Sequence, residues 1–248
     1  MADEYGDTRQ GSGSGDWLPS NVGGFGAPAP GAVGWPPTVM GCYGHAWRQL
    51  WPNFWRLVLI GIGAVLIFYV PAGILSALAQ RSAFFGVLAG VYDLLVGVPL
   101  IYGAAYAVLR AARGQAPEVG DLFVPFTHCY GASIGAAVLT SICTTIAFIL
   151  FVIPGIIVGI RLSFVPFLVV DEGYGPVAAL RESWQRTRGF SWTIFGMELL
   201  GVVISAVGVI LLVIGVIPAA MWVYLSFAAL FVAVTAQRGS AGGARQMM

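Results

Sequence analysis

The sequence predicts an all-α, polytopic membrane protein, with six transmembrane helices forming three hairpins and with amphipathic helices at the interface. Three observations carry this. First, 58% of the 248 residues are hydrophobic and only 9% are charged, at a mean hydropathy of +0.85. A soluble domain carries about 25% charge, and 9% would not cover its surface. Second, six apolar stretches have the length needed to cross a bilayer. Third, the arginines fall almost entirely on alternate sides of those stretches.

All twelve basic residues are arginine. Without lysine no Schiff base to a carbonyl cofactor can form, and no phosphate-binding loop of the lysine type exists. A net charge of +1 gives no footprint for nucleic acid. No cofactor is expected. The three cysteines, Cys42, Cys129 and Cys143, are expected to stay unpaired, because Cys143 lies inside an apolar span and the other two lie on the predicted cytoplasmic side.

Residues 1–38 are rich in Gly, Ser, Pro and Asp. Such a segment buries too little apolar surface to offset its ordering entropy, so it reads as a disordered cytoplasmic arm. It lacks a basic region ahead of a short apolar core, so the first span is expected to act as an uncleaved signal. Residues 39–237 form the six-helix membrane domain, and residues 238–248 a cytoplasmic tail.

The first span runs from Arg56 to Ala79 and contains Pro71; the second, Phe84 to Leu109, contains Asp93 and Pro99. The third runs from Tyr130 to Ile153. A tight Pro154–Gly155 turn leads to the fourth, which ends near Val170. The fifth covers Trp192 to Ile214, and after Pro218 the sixth runs to about Thr235. Small residues favour close helix approach within hairpins, with Gly61, Gly63 and Ala64 in span one and Gly131, Gly135 and Ala136 in span three as examples.

A polar or amphipathic stretch precedes each hairpin, at residues 42–55, 116–129 and 174–190. The third is the most legible. Gly175–Pro176 suits a helix start. Val177, Leu180, Trp184 and Thr187 then recur at spacings of three and four, and Gly189 marks the end. Glu182 and Arg186 sit at i and i+4 as an exposed pair. The pattern predicts a surface helix with its arginines facing water. Trp47, Trp55, Trp184 and Trp192 are the expected interfacial anchors; the members of each pair are eight residues apart.

Arg9, Arg48 and Arg56 precede span one. Arg110 and Arg113 follow span two; Arg181, Arg186 and Arg188 follow span four; Arg238 and Arg245 follow span six. Only Arg81 falls on the other side. The positive-inside rule then puts both termini in the cytoplasm.

Ionisable groups within spans are costly and tend to be paired or functional. Asp93 and Arg161 have similar expected depths, which suggests a buried pair fixing helix register or, alternatively, a polar pathway. Glu198 is a second potential partner for Arg161. Thr140, Ser141, Thr144 and Thr145 could line the same region or bond their own helix carbonyls. Cys42, His45, His128 and Cys129 share one side, but His128 and Cys129 are adjacent and point apart on a helix, so no metal site is expected. No catalytic constellation is visible, and no enzyme activity is expected.

The run VIPGI (152–156), FLVVDEG (167–173) and GPVAALRESWQRTRG (175–189) resembles the membrane domain attached to some bacterial glycerophosphoryl diester phosphodiesterases, and related uncharacterised six-helix families. The resemblance covers about residues 42–236. It implies a six-helix module in the bacterial inner membrane. The activity of those phosphodiesterases belongs to a separate soluble barrel, which this chain does not show, so no such activity is expected.

Together these features lead to the expectation of a non-enzymatic membrane scaffold or accessory subunit, with the lipid bilayer and other membrane-protein subunits as partners. The alternative is a transporter or lipid-handling protein using the region of Asp93 and Arg161.

Overall fold

The computed structural model describes residues 34–80, 82–210 and 216–246, with side chains placed through residue 206 and over 217–237. Among the described residues the fold is all-helical. Five helical stretches are long and apolar enough to cross a membrane: Val39–Ala79, Ala83–Ala112, Tyr130–Leu150, Val152–Glu172 and Ile217–Gln237. A sixth arises if Pro176–Arg186 and Ser191–Ala206, bent by 96°, count as one span. The expected end of the fifth span, through Ile214, lies outside the described residues.

Helix α1 (Val39–Ala79) is uninterrupted over 41 residues. The stretch 42–55 is therefore continuous with the first span and is not a separate interfacial helix. Thr38 caps it, its hydroxyl accepting the Gly41 N–H at 3.2 Å. Pro52 removes the N–H that the Arg48 carbonyl would accept. One residue on, the Asn53 amide donates to the Gln49 carbonyl at 3.2 Å, and the helix carries through. Within the stretch assigned to the arm, residues 34–38 are described. Trp35 stacks on His45 at a ring separation of 3.4 Å, and its indole N–H donates to the Ala229 carbonyl at 3.4 Å.

The second span is α2 (Ala83–Tyr92), a π-helical turn (Asp93–Gly97) and α3 (Val98–Ala112). A short 3₁₀ turn (Val119–Phe123) and α4 (Val124–His128) lead into α5 (Tyr130–Leu150). The hairpin to α6 (Val152–Leu162) turns at Phe151, which is extended at φ −165° and ψ 152°. Pro154 does not make the turn. It sits in the first turn of α6, where a missing N–H costs little. Gly155 allows the two helices to close, since a Cβ there would lie 2.5 Å from the Phe148 ring.

After α7 (Val165–Glu172), Gly173 adopts φ 68° and ends the helix. Helix α8 (Pro176–Arg186) begins and ends where its punctuation predicts, with Gly189 at φ +92°. Helices α9 (Ser191–Ile210) and α10 (Val216–Gln246) complete the chain.

The core lies at one end, here termed the base. Tyr106, Leu109, Leu122, Phe164, Phe231 and Leu230 are fully buried there. Helix α1 packs along α10 and α3; α3 also packs on α7, and α9 on α10. The stretch α6–α7 and helix α10 are central, with 44% and 50% of their most apolar windows buried, against 11% for α1. Away from the base, apolar side chains such as Leu66 and Ile149 face outward. Of the four glycines expected at close approaches, only Gly135 is at one, where a Cβ would lie 2.7 Å from the Pro176 ring; a Cβ on Gly61 or Gly63 would make ordinary contacts and one on Gly131 would meet open space. The tightest is Gly103, where a Cβ would lie 2.2 Å from the Leu122 carbonyl oxygen.

Candidate functional site

Three arginines of the base are locked to carboxylates. Arg113, at the end of α3, makes two parallel 2.6 Å bonds to Asp171 on α7. The Asp171 side chain is only 2% exposed. Arg110 binds Asp121 at 2.6 Å, and Asp121 also accepts the Glu118 N–H at 2.8 Å, capping the 3₁₀ turn. Arg186 on α8 is the hub. It binds both oxygens of Glu172, takes Glu182 at 2.8 Å and donates to Thr235 of α10 at 3.2 Å. Burial alone would lower the Arg186 pKa. Hydrogen bonds and charge from Glu172, then Glu182, outweigh burial and raise it above the ordinary value. The Glu182–Arg186 pair therefore forms as expected, but its arginine is buried and does not face water.

This burial sets which side of α8 packs inward. Ala179, Ser183, Arg186 and Thr187 are buried, while Val177 is 60% exposed. Leu180 and Trp184 are half-buried and pack against the edge of the core. The apolar stripe predicted from spacing is thus rotated toward the rim of the contact. The reason is that Glu172 and Thr235 hold the guanidinium inward.

A second cluster sits on the opposite rim of α8. The Ser183 hydroxyl donates to the Arg161 carbonyl at 2.7 Å, tying α8 to α6. The Arg161 guanidinium lies over the Trp184 ring at 5.6 Å. Its Nη1 is buried and has no hydrogen-bond partner among the described residues. Arg181 and Arg188 line an adjoining hollow of about 410 Å³ with Trp184.

Asp93 and Arg161 are not brought together. Asp93 opens the π-helical turn and is exposed. Its segment packs against α1, α2 and α3, whereas α6 packs against α5, α8 and α9. Glu198 is exposed on α9 and makes no ion pair with Arg161. Of the expected anchors, Trp55 and Trp192 are 75% and 84% exposed, and Trp47 is 43% exposed. Trp184 is held by Arg161. Thr140 Oγ1 is buried without a partner among the described residues.

The histidine–cysteine set is dispersed in role: His45 bonds the Ala112 carbonyl at 2.8 Å beneath Trp35, and all three cysteines are free thiols. No group of three metal-ligating side chains occurs among the described residues. Sequence reasoning used Arg110, Arg113 and Arg186 as orientation markers, paired Arg186 with Glu182, and missed Asp121, Asp171 and Glu172 as partners. Asp171 and Glu172 were the available signal, adjacent acids closing an apolar span. Compared with protein-family models, curated proteins and solved structures, the chain finds no match in any of the three.

Proposed function

We propose that this chain is a non-enzymatic scaffold or accessory subunit of a membrane assembly, crossing the bacterial inner membrane six times as three hairpins. The base and both termini face the cytoplasm. The reading rests on Asp93. It lies about ten residues into its span, roughly 15 Å along the helix. Its carboxylate has no hydrogen-bond or ion-pair partner among the described residues, and its neighbours Val91 and Leu95 are 45% and 40% exposed. A carboxyl facing hydrocarbon is expensive, and π-helical turns concentrate at functional positions. A polar or cationic group from another subunit would satisfy it. The arginine asymmetry supports the orientation.

A photo-crosslinking residue in place of Leu94, activated in native membranes, tests this. The expected result is a protein adduct of discrete mass that disappears when Asp93→Asn is added. Lipid adducts alone would overturn the reading.

A further inference from the structure

Beside α8 lies an apolar slot of about 550 Å³, walled by Cys143 and Ile146 of α5, Val158 and Leu162 of α6, and Leu180 of α8. Arg181 and Trp184 belong both to this slot and to the polar hollow that contains Arg188. The slot is thus apolar inside and cationic at its mouth. Arg110, Arg113 and Arg186 each face a carboxylate. Arg161, Arg181 and Arg188 face none among the described residues, and Arg161 keeps a buried, unpartnered Nη1 beside Trp184. Planar guanidinium groups bind phosphate oxygens in pairs. Arginines without acids beside an apolar channel complement a molecule with an anionic head and a hydrocarbon tail.

We propose that this slot holds an acyl chain of one anionic phospholipid, whose phosphate is held by Arg181 and Arg188, with the Arg161 guanidinium adding positive charge from behind the Trp184 ring. The Trp184 ring separates the two regions, suited to headgroup depth by its apolar body and polar edge. The lipid would wedge α8 against the α5–α6 hairpin and fix the interfacial helix to its own leaflet. This site is independent of the partner surface at Asp93.

The test uses the full chain in mild detergent, with bound lipid counted by native mass spectrometry. Phosphatidylglycerol, phosphatidylcholine and glycerol 3-phosphate are offered separately. The expected result is one retained phosphatidylglycerol, with neither of the others held. The variant Arg181→Gln/Arg188→Gln changes two exposed side chains and should weaken retention about tenfold or more, whereas Arg48→Gln should not. Cys143 is the exposed thiol of the three, so phosphatidylglycerol should also protect it from N-ethylmaleimide, and the double variant should lose that protection. Equal retention of phosphatidylcholine, unchanged retention in the double variant, or unprotected Cys143 would each overturn the proposal. Binding of glycerol 3-phosphate alone would overturn it in favour of a soluble phosphate ligand.

Discussion

Arg186 is the residue on which the base depends most. Replacing it with glutamine strands Glu172 and Glu182 beside a buried surface. Removing one member of a buried pair costs about 3–5 kcal/mol in soluble proteins, so Arg186→Gln should lower the melting point in detergent sharply. Arg181→Gln, five residues earlier and exposed, should change stability by no more than about 0.5 kcal/mol. Equal melting points for the two variants would contradict the buried hub. Arg113 and Asp171 offer a cleaner measurement, because their bidentate pair joins two helices. Arg113→Gln and Asp171→Asn should each destabilise, and the double change should lose less than the sum, with a coupling of about 0.5–3 kcal/mol. Additive losses would exclude the pair as an energetic unit. Such pairs were illegible in the sequence because 58 residues separate Arg113 from Asp171. Arg161 was legible as an anomaly, but its setting was not. Depth counted along spans pointed to Asp93, whereas the contact that decides is lateral, through Ser183 and Trp184 of α8.

At the level of the element, local punctuation was read well and continuity was not. The bounds of α8 follow from Gly175, Pro176 and Gly189, whose backbone preferences act within a few residues. Its buried face did not follow, since Glu172 and Thr235 override the spacing of its apolar residues. Helix α1 reads as two elements because Pro52 resembles a breaker, yet the helix runs through it from Val39 to Ala79. Glycine was the weakest guide. In so glycine-rich a chain, frequency hides the few positions where close approach needs it. The structure separates them, and the separation can be measured. Gly103→Ala would push a methyl into the backbone of Leu122, with its carbon and oxygen at 2.6 and 2.2 Å. Backbone cannot swing aside as a side chain can, so α3 must shift, at a cost of about 1–3 kcal/mol or more. Gly159→Ala has nothing within 4 Å of the new methyl. In a helix it should be neutral or stabilising by up to ~1 kcal/mol. Thermal denaturation in one detergent compares the two directly, and a stable Gly103→Ala protein would mean that the 3₁₀ turn does not press on α3.

The whole molecule divides into a tightly paired base and apolar outer surfaces, and that division gives the arginine asymmetry a second meaning. By the positive-inside rule the arginines of the base would mark the cytoplasmic side, and three of them also clamp carboxylates. Membrane class was legible because composition alone excludes a soluble surface. The number of spans was less so, because the bend of 96° between α8 and α9 places part of one candidate span along the bilayer plane if α9 crosses it. Orientation follows from where the base sits. If the base is cytoplasmic, Gln115 beyond α3 and Gln80 at the end of α1 lie on opposite sides of the membrane. Both are exposed, and neither side chain is part of the ion-pair network. In a cysteine-free background, Gln80→Cys should react with an impermeant maleimide added to intact cells, and Gln115→Cys should react only after permeabilisation. Reaction of both from outside would break the two-sided arrangement of α1 to α3, and reversal of the pattern would place the clamped arginines outside. In the second case the lipid slot would open to the outer leaflet, so the same two labels also decide which leaflet supplies its phospholipid.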